Sequence, residues 1–257
     1  MKIGIPIVAE FETLGEHIAF CREIGADFIE LNMAWPMCFP DQIDWKMLQK
    51  TRDIFFTLHL PEDLQMGELF EPARKRNVDY AIQLMREFKD KGGVTTFTLH
   101  MKKSSKMTMP HGKVFLFDKY RERYLASLRK SFTELSAFAK QNGVTVCFEN
   151  VGAMPSQVAG FAELINSPGI YLTLDVGHNE EEGNVLAPVF MRSGKVQHMH
   201  LHDVRDGKPH EQVGVGTVDV PRFVDFARKN NLSVLLEVRG RDEVTKSVAF
   251  VRGCVIE

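Results

Sequence analysis

An α/β fold made of a single (β/α)8 TIM barrel over residues 1–257 is what this sequence predicts, and three observations predict it. Eight short β-rich runs alternate with eight amphipathic stretches. The length of 257 residues matches the roughly 250 that such a barrel needs. Six of the runs also carry a His, Asp or Glu at the same place near their carboxyl ends. Strict alternation of strand and helix demands a parallel sheet, and eight repeats favour closure over an open doubly wound sheet, which stays the alternative.

Taken in order, residues 2–8 are apolar after Lys2 but Glu10 and Glu12 follow at once, so the run is expected to be a first strand and not a cleaved leader. A helix over 12–24 stops at Gly25, and strand 28–33 leads to helix 44–52. Strand 54–60 leads to helix 72–89, ended by Gly92 and Gly93, and strand 95–101 to helix 119–141, ended by Asn142 and Gly143. Strand 145–150 precedes helix 157–165, and strand 170–176 precedes a weaker helical pattern at 182–191. Strand 196–203 precedes helix 220–229, which Asn230 and Asn231 end, and strand 232–238 precedes the closing helix 242–251. The Gly214-Val215-Gly216 run has no third glycine and no strand at nucleotide-fingerprint spacing, so it reads as a loop. No linker or shift of composition marks a second domain.

With 44% hydrophobic and 26% charged residues the chain has ordinary globular composition, which excludes disorder. A net charge of −2 provides no overall pull toward nucleic acid or an anionic membrane. Cys21, Cys38, Cys147 and Cys254 form no CxxC pair, so reduced thiols are expected. No apolar run approaches the ~20 residues that cross a bilayer. The expectation is a soluble cytoplasmic protein.

The chemistry lies in the strand ends. Six runs line up directly: FTLHL with His59, FTLHM with His100, VCFEN with Glu149, LTLDV with Asp175, HMHLHD with His200 and LLEVR with Glu237. Strand side chains alternate, so these residues share a face with Thr57, Thr98, Cys147, Thr173, His198 and Leu235, which suit a barrel interior. All six therefore point inward at the end where barrel enzymes build their sites. Burying several carboxylates together is costly without a cation, so Glu149, Asp175 and Glu237 imply a bound metal. Mixed imidazole and carboxylate donors suit Mn, Zn, Co, Fe or Mg. On the same face His198 lies deeper and is structural, whereas His202, at the strand's exit, could face either ligand or solvent.

These runs resemble the xylose-isomerase-like barrel superfamily, which contains sugar and sugar-phosphate isomerases and epimerases together with endonuclease IV. The resemblance covers nearly the whole chain. It rests on Glu149-Asn150, the Asp175-Val-Gly-His178 run, His200-Leu-His-Asp203, His210-Glu-Gln-Val-Gly-Val-Gly216 and Glu237, in that order. It implies that one divalent metal is held by Glu149, Asp175, His200 and Glu237. It also implies that Glu149 and Glu237 are the acid/base pair that moves a proton through a metal-stabilised enediolate. His59, His100, His178 and His210 would surround a small sugar or sugar phosphate. Arg205 would contact a substrate oxygen, and Trp35 would either stack on the sugar or cover the rim. The lysine-rich run from Met101 to Lys113 is either an anion-holding loop or a solvated one.

Two departures separate the chain from the endonuclease branch. That branch has a metal-binding aspartate where Lys208 stands here, and an aromatic that enters DNA where Glu62 stands. A metal-dependent sugar isomerase or epimerase is therefore expected, with an abasic-site repair nuclease or a non-catalytic metal- and sugar-binding barrel as alternatives. Barrels of this type often pair, so a homo-oligomer is open.

Overall fold

The computed structural model describes residues 1–254; the last three residues of the expected 1–257 barrel lie outside it. In chain order the elements are β1 (Lys2–Ile5), α1 (Leu14–Glu23), β2 (Phe28–Asn32), a 3-10 turn (Pro36–Cys38), α2 (Trp45–Lys50), β3 (Phe55–His59), α3 (Glu71–Gly92) and β4 (Thr96–His100). Then follow β5 (Lys106–Met109), β6 (Gly112–Phe115), α4 (Leu116–Lys119), α5 (Arg121–Asn142), β7 (Thr145–Glu149), α6 (Pro155–Asn166), β8 (Tyr171–Asp175) and α7 (Val176–Glu181). The chain continues through α8 (Ala187–Ser193), β9 (Val196–Leu201), β10 (Asp203–Arg205), β11 (Lys208–Glu211), α9 (Val220–Lys229), β12 (Ser233–Leu236) and α10 (Arg241–Gly253).

Eight of the strands close into one parallel barrel in the order β1-β12-β9-β8-β7-β4-β3-β2, as the alternation predicts. Outward-facing strand residues such as Leu31, Leu58, Phe97, Phe148, Leu172 and Val234 are buried under the helices. At about 25 cal/mol per Å2 of apolar surface removed from water, this layer is the main stabilising term. Local chemistry sets the helix boundaries. Thr13 and Glu16 form a reciprocal capping box at the start of α1, and Asp44, Asp175 and Asp219 cap α2, α7 and α9. Gly143 ends α5 at φ 62°, a left-handed conformation that costs glycine little.

Three segments differ from the sequence reading. The run 101–113 is not a plain loop but leads into an antiparallel hairpin, β5–β6. The expected strand 196–203 is broken after Leu201, because Asp203 turns away to pair with Glu211 in the β10–β11 hairpin. The weak helix expected at 182–191 forms only from Ala187, as α8; a separate short helix, α7, ends at Glu181 before it, and between them the Asn179 side chain accepts the N–H groups of Leu186 and Ala187. Among the described residues, no helix is long and apolar enough to cross a membrane.

Closure staggers the strands, and the stagger builds the site. Along hydrogen-bonded rows, His100 pairs with Glu149, which pairs with Thr173, while Asp175 pairs with His200 one row further on. His59 lies level with Thr98, a row earlier. The strands of a closed barrel tilt, so residues on successive rows come to one height above the barrel floor. Leu235 pairs with His200, so Glu237 stands a row beyond it, and the six strand-end residues form one ring from four rows.

Candidate metal centre

Beneath the ring lies a polar layer whose members satisfy one another. Glu30, on β2, accepts the Thr57 hydroxyl at 2.7 Å and stands 3.0 Å from His198 Nε2. Ser233 Oγ lies 2.6 Å from the other His198 nitrogen, and Thr98 and Thr173 share a hydrogen bond of 3.1 Å. His198 is therefore structural, as its depth in the strand suggested. Sequence reasoning missed Glu30. Its one signal was a carboxylate in the middle of the apolar run Phe28-Ile29-Glu30-Leu31, where only an inward partner could hold it.

The ring itself is different. His200 Nδ1 lies 3.0 Å from Glu237 Oε2, 3.4 Å from Glu149 Oε2 and 3.9 Å from Asp175 Oδ2. Yet Asp175 Oδ2, Glu237 Oε2 and both His200 nitrogens are buried without an aligned hydrogen bond. Buried polar atoms are nearly always satisfied, so orphans converging on one point need a partner. One donor atom from each of Glu149, Asp175, His200 and Glu237 falls within 4.8 Å of all the others. An ion that holds N and O donors at about 2.0–2.2 Å spaces them by roughly 3–3.5 Å, so these residues fit a divalent metal. Glu30 Oε1 stands 3.1 Å from His200 Nε2 without hydrogen-bond alignment, and its charge favours a proton on that nitrogen, which leaves Nδ1 facing the other three donors.

Electrostatics point the same way. Burial alone would raise the Glu149 carboxyl, but His200 and His100 hold it well below the ordinary carboxylate range. Burial likewise opposes ionisation of Asp175, and His202 and His178 outweigh it. Burial disfavours a charged His200 or His59, yet Glu149 and its neighbours push His200 well above the usual histidine value and His59 up to about 9. The carboxylates gathered around these histidines favour their protonated forms.

Two further histidine groups flank the ring. His59 and His100 approach Glu149 Oε2 to 3.2 and 3.5 Å. His59 Nδ1 lies 2.9 Å from the Leu60 carbonyl, which leaves Nε2 facing inward. On the other side stand His178, His202 and His210. His202 turns inward, not to solvent: it is fully buried, with Nε2 3.3 Å from Asp175 Oδ1. Its Nδ1 accepts the His210 N–H at 2.8 Å, so the neutral ring carries its proton on Nε2 and has no lone pair for a metal there. That nitrogen too is buried without an aligned hydrogen bond, beside the Asp175 carboxylate. The His202 ring lies against Gly177, where a Cβ would sit 2.0 Å from it, which explains the glycine of the Asp175-Val-Gly-His178 run. Asp203 accepts the N–H groups of Val204, Gly214 and Val218 and so folds the loop that carries the two glycines of that segment.

A cavity of about 290 Å3 opens above the ring, lined in part by His59, His100, Glu149, His178, His210 and Glu237. Asp175 lies below it, fully buried. Trp35 and Arg205 are outside this lining: Trp35 is exposed on the rim, and Arg205 pairs with Glu211 on the β10–β11 hairpin. Lys208, which stands where the endonuclease branch has its aspartate, is exposed at the start of β11.

A family model for xylose isomerase-like TIM barrels matches residues 18–254. The chain belongs to that family. Among solved structures, this family member is similar to a D-tagatose 3-epimerase-like protein, with a TM-score of 0.79 at 18% identity over 99% of this chain and 97% of the other. It is also similar to the IolI protein with a bound zinc atom, with a TM-score of 0.73 at 17% identity over 98% and 96% of the two chains. An uncharacterized protein of Methanocaldococcus jannaschii is 26% identical over 76% of this chain and 74% of its own length.

Proposed function

We propose that the chain is a divalent-metal-dependent isomerase or epimerase of a sugar or sugar phosphate. One observation carries this reading: of the three carboxylates in the ligand group, Glu149 and Glu237 line the cavity while Asp175 is sealed beneath it. Asp175 can reach a metal but not a substrate. Glu149 and Glu237 can bind metal and also reach a substrate.

Glu149, Asp175, His200 and Glu237 would hold the ion. When bound, it supplies positive charge against the oxyanion that develops as a proton leaves the carbon beside a carbonyl. The two cavity carboxylates come from opposite ends of the β7-β8-β9-β12 stretch of the barrel, so they meet a substrate from different sides. One takes the proton and the other returns it, the exchange that inverts a centre or moves a carbonyl. Glu237 is the more accessible, with a quarter of its side chain exposed. His178 and His210 line the cavity beside it and orient substrate oxygens. The epimerase-like and zinc-bound relatives of the same fold support the reading.

Two measurements test it. Metal analysis of the purified protein is expected to give about one tightly held divalent ion per chain, whereas three would favour phosphodiester cleavage. Solvent deuterium is expected to enter at least one ketose or ketose phosphate from a panel. A metal-loaded protein that exchanges no deuterium into any of them would favour a binding barrel.

A further inference from the structure

Two cations stand in the wall of the cavity, and the proton transfer uses neither. Lys102 and Lys103 line it together with the histidines and carboxylates. They follow His100, the end of β4, by two and three residues, so the chain is leaving the ring just where their side chains begin. The segment is anchored: Ser104 Oγ accepts the Phe117 N–H at 3.0 Å, and the Lys103 carbonyl accepts the Gln65 side chain at 3.2 Å. Lys102 is half-buried, and among the described residues its one carboxylate contact is Asp63 at 3.6 Å, a fully exposed residue. Such a pair is weak in water and yields readily to a better anion. Lys103 forms no ion pair among the described residues.

A divalent ion among three carboxylates leaves one negative charge, and Glu62 adds another at the mouth. Two lysines in the wall offset those charges, a balance that a neutral sugar does not require. An anionic sugar would be turned away without them. The volume of about 290 Å3 is at the small end of ligand cavities, which run to about 300–1,000 Å3, and so suits a short chain with one charged end. Resting on the isomerase or epimerase reading, we propose that the substrate is a ketose phosphate monoester. Lys102 and Lys103 hold its phosphate at the cavity mouth while its carbonyl end meets Glu149 and Glu237.

The test is calorimetric titration of the metal-loaded protein with ribitol, ribitol 5-phosphate and ribonate, which lack the ketone and so report binding apart from turnover. Ribitol 5-phosphate is expected to bind at least tenfold more tightly than ribitol. In the double variant Lys102→Gln/Lys103→Gln that ratio should fall below threefold, and Lys103→Gln alone, which changes an exposed side chain, should lower it in part. Lys113→Gln, on β6 outside the cavity lining, should keep the ratio. Ribitol bound as well as its phosphate overturns the proposal and leaves the sugar reading standing. A ratio unchanged in the double variant, or lost equally in Lys113→Gln, overturns the role of the two lysines. Ribonate binding more tightly than ribitol 5-phosphate would assign a sugar acid instead. Binding of none of the three, with no deuterium exchange into any ketose, overturns both this proposal and the function on which it rests.

Discussion

The two polar layers stacked inside the barrel are made of the same residue types and behave in opposite ways. In the lower layer Glu30, Thr57 and His198 close a hydrogen-bonded set around one carboxylate. In the upper, three carboxylates and His200 crowd together with buried atoms left unpaired. Both occur on one strand: His198 and His200 are neighbours on the inner face of β9, yet His198 has both ring nitrogens satisfied and His200 neither. The lower layer is complete without a ligand. The upper leaves buried donor atoms that a cation would satisfy, and a scaffold held by the complete layer below can carry such an electrostatically frustrated site.

The largest expected effect breaks the upper layer alone. His200→Ala or Glu149→Ala should weaken binding of a divalent ion more than about 100-fold, above the 10–100-fold typical of outer partners. Metal titration followed by calorimetry measures it. Little change in affinity would mean that the ion, if any, sits elsewhere.

Glu30→Ala tests the join between the layers. It strands His198 and His200, so it should cost about 3–5 kcal/mol of stability, as removal of one member of a buried pair does, and about 10–100-fold in metal affinity. Glu30→Gln should cost less on both counts. Denaturant unfolding and metal titration separate the two effects, and a loss of stability without loss of affinity would show that Glu30 does not orient His200.

A pH dependence follows next. In the metal-free protein His59 and His202 have values raised to about 9, because Glu149 and Asp175 outweigh the opposing burial. A raised histidine value stabilises the fold fully below the unfolded value near 6.5, and the contribution disappears as pH rises through 9. Metal-stripped protein should therefore lose thermal stability between pH 6.5 and 9. Metal-loaded protein should not, because the ion takes over the charge. Equal profiles in thermal melts at the two pH values would contradict this.

The smallest effect is the sharpest contrast. In metal-free protein, Glu237→Gln removes a charge from a site that has too many of one sign, so stability should change by less than about 1 kcal/mol or rise. Destabilisation as large as that of Glu30→Gln would erase the difference between the layers.

How much of this was legible in the sequence depends on the range of the interaction. The barrel and its strand order follow from alternation that is local. So does the inward face, because strand side chains alternate with period two; His59, His100, Glu149, Asp175, His200 and Glu237 could be placed on it from their own runs. Glu30 could not be, because its partners His198 and His200 lie 168 and 170 positions away, and only closure of the barrel brings β2 opposite β9. For the same reason tertiary structure alone decided that Asp175 is sealed while Glu149 and Glu237 reach the cavity, and that Trp35 and Arg205 fall outside it while Lys102 and Lys103 fall within. Which way a strand residue points is set by the backbone of its own strand. What it meets there is set by the tilt and stagger that a closed sheet imposes on all eight strands at once.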